Sequence, residues 1–379
     1  MSSKHAQATG SRAPASNKIS ITQFSPQLGS QAGARPDADA DRCDEIIDVR
    51  SPAEYAEDHL PAAISAPVLN DAERARIGTL HKQASAFDAK RAGAALVARN
   101  IARHLEEKFS DRPKSWRPLI YCWRGGQRSG AMTDIFNRIG WKALQLEGGY
   151  KAYRRHVIDS LDAMPARFSY RIICGVTGSG KSRLLRALNA EGAQVLDLED
   201  VAKHRGSVLG NLPDQAQPSQ KMFESLVLEK LSRLDAARPV FVEAESKKVG
   251  EVRVPEALMA AMRASPCLRV EMSVPTRVEL LQDEYAHFIS DPQSLGAQLD
   301  CLVPLHGRER IDAWKTLSAR GAWDEFVERL LVEHYDPAYL RGMGRNYTGF
   351  GSALPLALRD IGTAGMRASA QQAIKLAAA

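Results

Sequence analysis

The eight residues Gly175-Val176-Thr177-Gly178-Ser179-Gly180-Lys181-Ser182 constrain this chain more than any other stretch. They follow an apolar run, Ser169 to Cys174, and open a segment of helical periodicity that continues through Leu188. Strand, glycine-rich turn and helix together make a P-loop, and the turn must sit at the carboxyl end of a strand in an open α/β sheet. Backbone amides of such a turn wrap a diphosphate, Lys181 neutralises it, and the Ser182 hydroxyl can reach a magnesium ion. The diphosphate-binding set is then Gly175, Gly178, Ser179, Gly180, Lys181 and Ser182. A further apolar strand, Pro239 to Val242, ends at Glu243, as a Walker B strand ends in an acid. The ligand stays open at this point. A nucleotide is the default, and a prenyl diphosphate offers the same anion on an apolar tail.

At 379 residues the chain is too long for one ordinary core, so two domains are expected. Ahead of the P-loop, strand signals at 45–50, 117–122 and 142–146 alternate with helical ones. The first helix opens at Ser51-Pro52 with Glu54 in its opening turn; the others cover 87–108 and 129–139. After the P-loop come a strand at 194–197 and a long amphipathic helix at 215–237. This alternation predicts two parallel-sheet α/β domains, 35–160 and 165–350, with a boundary near 155–168. Residues 1–34 are polar without an apolar signal region and are expected to be a disordered tail; the Ala-rich 353–379 is expected to be a frayed helix or disordered tail. No apolar run approaches the about 20 residues that span a bilayer, and the cytoplasm is the expected location. The net charge of +6 fits a polyanionic partner.

Five cysteines are scattered and never spaced CxxC, which argues against a disulfide framework or a zinc site. One stands apart. Cys122 follows the strand at 117–122 and begins the loop Cys122-Trp123-Arg124-Gly125-Gly126-Gln127-Arg128 ahead of a helix. The glycines let amides turn inward, Arg124 and Arg128 add cationic donors, and the helix start adds its positive end. All three stabilise an anion on sulfur, so Cys122 is the candidate catalytic thiol and residues 123–128 its anion loop. Cys43, Cys174, Cys267 and Cys301 lack such surroundings and read as core or surface thiols. The spacing Cys122-x5-Arg128 is also that of cysteine-dependent phosphatases.

The upstream segment separates these readings. Asp48-Val49-Arg50-Ser51-Pro52-Ala53-Glu54-Tyr55 and Asp58-His59-Leu60-Pro61-Ala62-Ala63 resemble the rhodanese signature, with Ala62 where that family usually has Gly. A rhodanese loop cradles sulfur or selenium on its cysteine. With the P-loop added, residues 40–350 resemble the tRNA 2-selenouridine synthases. That likeness also rests on Leu198-Glu199-Asp200, His204-Arg205-Gly206-Ser207, Gln217-Pro218-Ser219-Gln220, Glu245 to Gly250 and His334-Tyr335-Asp336-Pro337. It implies a rhodanese-like domain followed by a P-loop NTPase-like α/β domain, acting on wobble-position 2-thiouridine in tRNA. Geranyl diphosphate would first alkylate the sulfur, turning a poor leaving group into a competent one; selenium from selenophosphate would then displace it. Cys122 would carry the selenium, while Lys181 and Ser182 hold the diphosphate. His204, Arg205, Lys247 and Lys248 are the expected tRNA contacts. Glu243 or Glu245 is expected to orient magnesium or water, or else to pair with Lys247 or Lys248. Competing readings are an ATP-dependent sulfurtransferase or kinase with a rhodanese module, a nucleotide-gated RNA-binding protein, and a phosphatase, which leaves the P-loop unexplained.

Overall fold

The computed structural model describes residues 17–28, 43–83, 85–207, 209–212 and 215–378. The chain divides into two compact units, Met1–His156 and Val157–Ala379. The first is built on five parallel strands: β1 (Lys18–Ile19), β2 (Glu45–Asp48), β3 (Ile64–Ser65), β4 (Pro118–Tyr121) and β5 (Leu144–Leu146), in the order β1-β5-β4-β2-β3. All four residues of β4 are buried, as a strand covered on both faces requires. Ile47, Ile120, Met132, Phe136 and Trp116 meet in the core of this unit. Helices Ala86–Glu107 and Gln127–Ile139 lie where the periodicity put them, the first capped by the Ser85 side chain accepting the Asp88 N–H.

β1 corrects the expected N-terminal tail. Lys18 and Ile19 pair with Gln145 and Leu146, and Ile19 and Phe24 are buried, so part of that polar stretch extends the sheet. Residues 1–16 and 29–34 lie outside the described residues.

The second unit carries β6 (Tyr170–Cys174), β7 (Gln194–Leu196), β8 (Val240–Glu243), β11 (Pro266–Glu271) and β12 (Gly349–Ala357) in a parallel sheet ordered β12-β11-β6-β8-β7. A separate antiparallel pair, β9 (Lys248–Val249) and β10 (Val252–Arg253), follows β8. The expected helix at 215–237 is shorter, Gln220–Ser232. Pro218 disfavours helical backbone before it, and the Ser219 hydroxyl caps the Met222 N–H at 3.1 Å.

The Ala-rich C-terminus is a second correction. β12 closes one edge of the sheet, and helix Thr363–Ala378 packs Met366, Ala370, Ala373 and Ala377 against Leu184, Leu185 and Leu188 of the helix after the P-loop. Spacings of four, three and four residues place those small side chains on one helical face, where they let two helices approach closely. The second unit therefore runs past residue 350 to the end of the described chain. Between β11 and β12 lies an array of helices from Val274 to Asn346, with its own core around Trp314, Phe326, Leu299 and Ile311.

Candidate functional site

In the first unit the Cys122 sulfur sits at the carboxyl end of β4, 4% exposed, and accepts two hydrogen bonds. The Gly126 N–H donates at 3.3 Å and the Ser129 hydroxyl at 3.2 Å. Helix Gln127–Ile139 starts there, so its unsatisfied amides face the same atom. The loop lies directly on the turn after β5. A Cβ on Gly149, at φ +57°, would sit 2.2 Å from the Cys122 carbonyl oxygen, and one on Gly125, at φ +61°, 2.4 Å from that of Leu146. Only glycine fits this crossing. Gln145, on β5, donates its amide to the Gly125 and Gly126 carbonyls and to the Ser129 hydroxyl. Sequence reasoning missed Gln145 and Ser129, because only strand pairing brings 145 beside 125.

The two arginines of the loop differ. Arg124 is exposed, whereas Arg128 pairs with Glu54 at 3.2 Å, and Glu54 also takes Arg74. Trp123 is 38% exposed and rests on Tyr150, Gly126 and Gln127 are exposed at the helix start, and Gly125 is half-buried. The upstream acid–arginine turn is internal scaffold. Asp48 and Arg50 are fully buried and paired at 2.6 Å, Tyr121 donates its hydroxyl to Asp48, and Arg50 also donates to the Asp58 carbonyl.

In the second unit β6 delivers the P-loop between β11 and β8. The Lys181 ammonium donates to the Gly175 carbonyl at 2.9 Å, and the Ser182 hydroxyl donates to Glu199 at 3.2 Å. Glu199 follows β7, Glu243 ends β8 and Glu245 lies just beyond; their ligand oxygens all fall within 4.8 Å of one another. Burial first, and each other's charge second, push Glu199 and Glu245 up to about 8 and hold Glu243 well above the usual carboxylate range. The Glu243 Oε1 atom is buried without a hydrogen-bond partner. Three adjacent carboxylates with an orphaned oxygen, next to a serine hydroxyl, form a hard-oxygen donor set that fits a divalent cation such as magnesium. Glu243 and Glu245 thus face the P-loop cavity, which has a volume of about 290 Å³, and not Lys247 or Lys248. Glu199 had gone unassigned; the neighbouring positions of β7 and β8 bring it to the site.

The helical array holds the loop from outside. Arg277, 2% exposed, donates from Nε and Nη2 to the Thr177 carbonyl and is paired with Asp336 at 2.6 Å. The Gly175 N–H donates to the Tyr339 hydroxyl at 2.7 Å, and the Glu245 N–H to that of Tyr347 at 2.9 Å. Of the His334 to Pro337 segment, Asp336 is thus the P-loop anchor, while His334 meets His306 at 2.8 Å.

The four expected tRNA contacts separate. His204 is buried, and its Nδ1 accepts the Gly206 N–H, which removes it from any RNA-facing surface. Arg205 lines the P-loop cavity, 4.5 Å over the Tyr285 ring, with its guanidinium donating to the Glu284 carbonyl. Both follow from the short helix Leu198–Ala202, which turns this segment inward over the site. Lys247 and Lys248 are exposed at the β9–β10 hairpin. Gln217 braces that hairpin through the Val249 carbonyl and Gln220 through Arg253, which accounts for the Gln217 to Gln220 segment as scaffold.

Comparison with known proteins agrees with this layout. A rhodanese-like domain matches residues 34–156, and a family described as the tRNA 2-selenouridine synthase AAA domain matches 168–297. The curated tRNA 2-selenouridine synthase of Marinobacter nauticus is 32% identical over 326 residues, 78% of this chain and 87% of that one. This chain belongs to the tRNA 2-selenouridine synthase family. The namesake from Aeromonas salmonicida is 32% identical over 79% of this chain and 87% of its own, and that from Nitrosomonas europaea 34% identical over 63% of each. The last match spans a little under two thirds of that relative. In this member of the tRNA 2-selenouridine synthase family, Asp336, Tyr339 and Tyr347 lie beyond the matched AAA segment, yet the first two brace its P-loop and the third holds the Glu245 backbone. No helix among the described residues is long and apolar enough to cross a membrane.

Proposed function

We propose that this chain converts wobble-position 2-thiouridine in tRNA to 2-selenouridine through an S-geranyl intermediate, using geranyl diphosphate and selenophosphate. The observation that favours a prenyl over a nucleotide ligand is an apolar slot that opens off the P-loop cavity. The two share Thr177, Ser207, Leu281 and Tyr285, and the slot continues between Phe288, Leu295, Trp323, Phe326 and Leu330. An anionic head on the P-loop amides would direct an apolar tail there. A nucleobase would leave its polar edges unpaired against such walls. The slot, about 60 Å³ in volume, runs between helices Val274–Glu284 and Trp323–Leu330.

In the first step the C2 sulfur attacks C1 of the geranyl group, and the carbon–oxygen bond breaks with its electron pair leaving on diphosphate. Lys181, freed from the Gly175 carbonyl, and the loop amides stabilise the charge that develops there. Ser182, Glu199 and Glu243 would hold a magnesium ion, which offsets diphosphate charge that the carboxylates alone would repel. In the second step the selenium of selenophosphate, held at the Cys122 loop, adds to C2 and geranyl thiolate leaves; water then cleaves the selenium–phosphorus bond and releases phosphate. The Gly126 amide and Ser129 hydroxyl already point at the position an anion would take.

The test is nucleoside mass spectrometry on 2-thiouridine tRNA incubated with the protein. With geranyl diphosphate alone S-geranyl-2-thiouridine should accumulate, and with selenophosphate added it should pass to 2-selenouridine. ATP turnover with neither product would favour the sulfurtransferase or kinase reading instead.

A further inference from the structure

The residue after the thiol is a tryptophan whose indole is among the exposed large apolar side chains of the described residues. It is not loose. Its ring lies 5.2 Å from that of Tyr150, at 31°. Tyr150 is itself fixed, with its hydroxyl donating to Asp58 at 2.8 Å and the buried Arg50 guanidinium 3.9 Å from its ring centroid. The Trp123 carbonyl accepts the Lys151 N–H at 3.0 Å, which ties the loop to helix Gly149–Ala163. Arg50, Tyr150 and Trp123 thus form a stacked series that begins in the core and ends in solvent one residue from Cys122.

Cations surround the exposed end. Arg124 is the next residue, and Lys151 and Arg155 stand one helical turn apart on helix Gly149–Ala163. All three are exposed and make no ion pair among the described residues. An exposed ring beside unpaired cations is the arrangement that takes an unpaired nucleobase together with its flanking phosphates.

We propose that Trp123 is the stacking platform on which the wobble base is presented to the Cys122 loop, with Arg124, Lys151 and Arg155 contacting the neighbouring phosphates. This rests on the tRNA reading above and specifies which surface receives the base. Anticodon bases are already unpaired, so no duplex has to be opened to place one on the indole. The platform is ordered by Tyr150 before the RNA arrives, which lowers the entropy cost of binding. Trp123 acts as a positioning residue: it orients the base, and the chemistry stays with the neighbouring loop.

The test uses the full-length protein and a 2-thiouridine anticodon stem-loop that has been geranylated beforehand. Trp123→Ala should raise the KM for selenation by roughly 5- to 150-fold, the range of one lost base–aromatic stack, while kcat changes less. Trp123→Phe should stay near wild type. The difference in fluorescence between wild type and Trp123→Phe isolates the Trp123 signal. That signal should be quenched by the stem-loop but not by the same RNA carrying an abasic nucleotide at the wobble position. This measurement needs no variant that risks misfolding. An unchanged KM in Trp123→Ala, or equal quenching by the abasic RNA, would overturn the proposal. If wild type itself forms no 2-selenouridine, the fault lies with the functional reading, whereas an active wild type with an indifferent Trp123 strikes the platform alone.

Discussion

Glu199 and Glu245 keep protons that exposed carboxylates would shed, because burial and each other's charge disfavour ionisation. The folded state therefore binds more protons than the unfolded chain between about pH 4.5 and about 8. Their cost to stability is absent below that window and grows as pH rises through it. Without divalent cation, the melting temperature should fall between about pH 4.5 and about pH 8, and magnesium should restore it by binding the ionised form. Glu199→Gln should flatten the pH slope; a slope unaltered by this change would assign the effect to other groups. Ala62 offers a second test at this scale. Its φ of +62° places a Cβ in left-handed backbone, where the rhodanese pattern has Gly. Ala62→Gly should stabilise the first unit by about 0.5–1 kcal/mol by denaturant titration, and a destabilised variant would show that the turn carries no strain. The departure was visible in the sequence as a missing glycine. Its strain became visible only once the turn had a conformation.

Among the elements, the C-terminal helix carries the largest revision. Its composition suggests a tail, since alanine supplies little apolar area per residue. What decides its fate is a surface to meet, and the helix after the P-loop supplies one through Leu184, Leu185 and Leu188. Met366 also reaches within 3.3 Å of where a Cβ on Gly180 would stand, so the terminal helix touches the P-loop itself. Ala370 is fully buried, and Ala370→Asp should cost roughly 3 kcal/mol or more, the scale of an uncompensated buried charge. The same carboxylate at the exposed Gln372 should cost almost nothing. Equal melting curves for the two variants would mean that the helix is not docked in solution. The helices between Val274 and Asn346 were not read from the sequence, because their apolar residues serve a local core that no motif marks.

For the molecule as a whole, each compact unit holds one half of the proposed chemistry, so the two steps should separate genetically. Cys122→Ala should abolish selenium incorporation while much of the geranylation persists. Lys181→Ala should slow geranylation by ~10² or more yet still permit selenation of pre-geranylated tRNA. Mass spectrometry of the two nucleosides checks both, and equal loss of both products in either variant would refute the division. The basic charge is tested separately. Lys247→Glu with Lys248→Glu should weaken all substrate tRNAs alike and flatten the salt dependence of binding, because phosphate contacts carry no base identity. If the hairpin lies off the RNA path, affinity and slope will match wild type.

The sequence alone determined the two parallel-sheet units, the thiol loop and the P-loop, because each rests on short-range rules. A strand, a glycine turn and a helix start are contiguous, and Cys122 and Lys181 are named by their immediate neighbours. Tertiary structure decided what depends on strand order and helix docking. It gathered Glu199, Glu243 and Glu245 from the ends of two adjacent strands, and brought Gln145 beside Gly125 and Tyr339 onto Gly175. It also turned His204 and Arg205 inward, where a linear reading had placed them on an RNA surface. The physical reason is the same in each case. A residue's chemistry is set by what lies within a few ångströms, and for Gln145 and Tyr339 the partners lie 20 and 164 residues away along the chain.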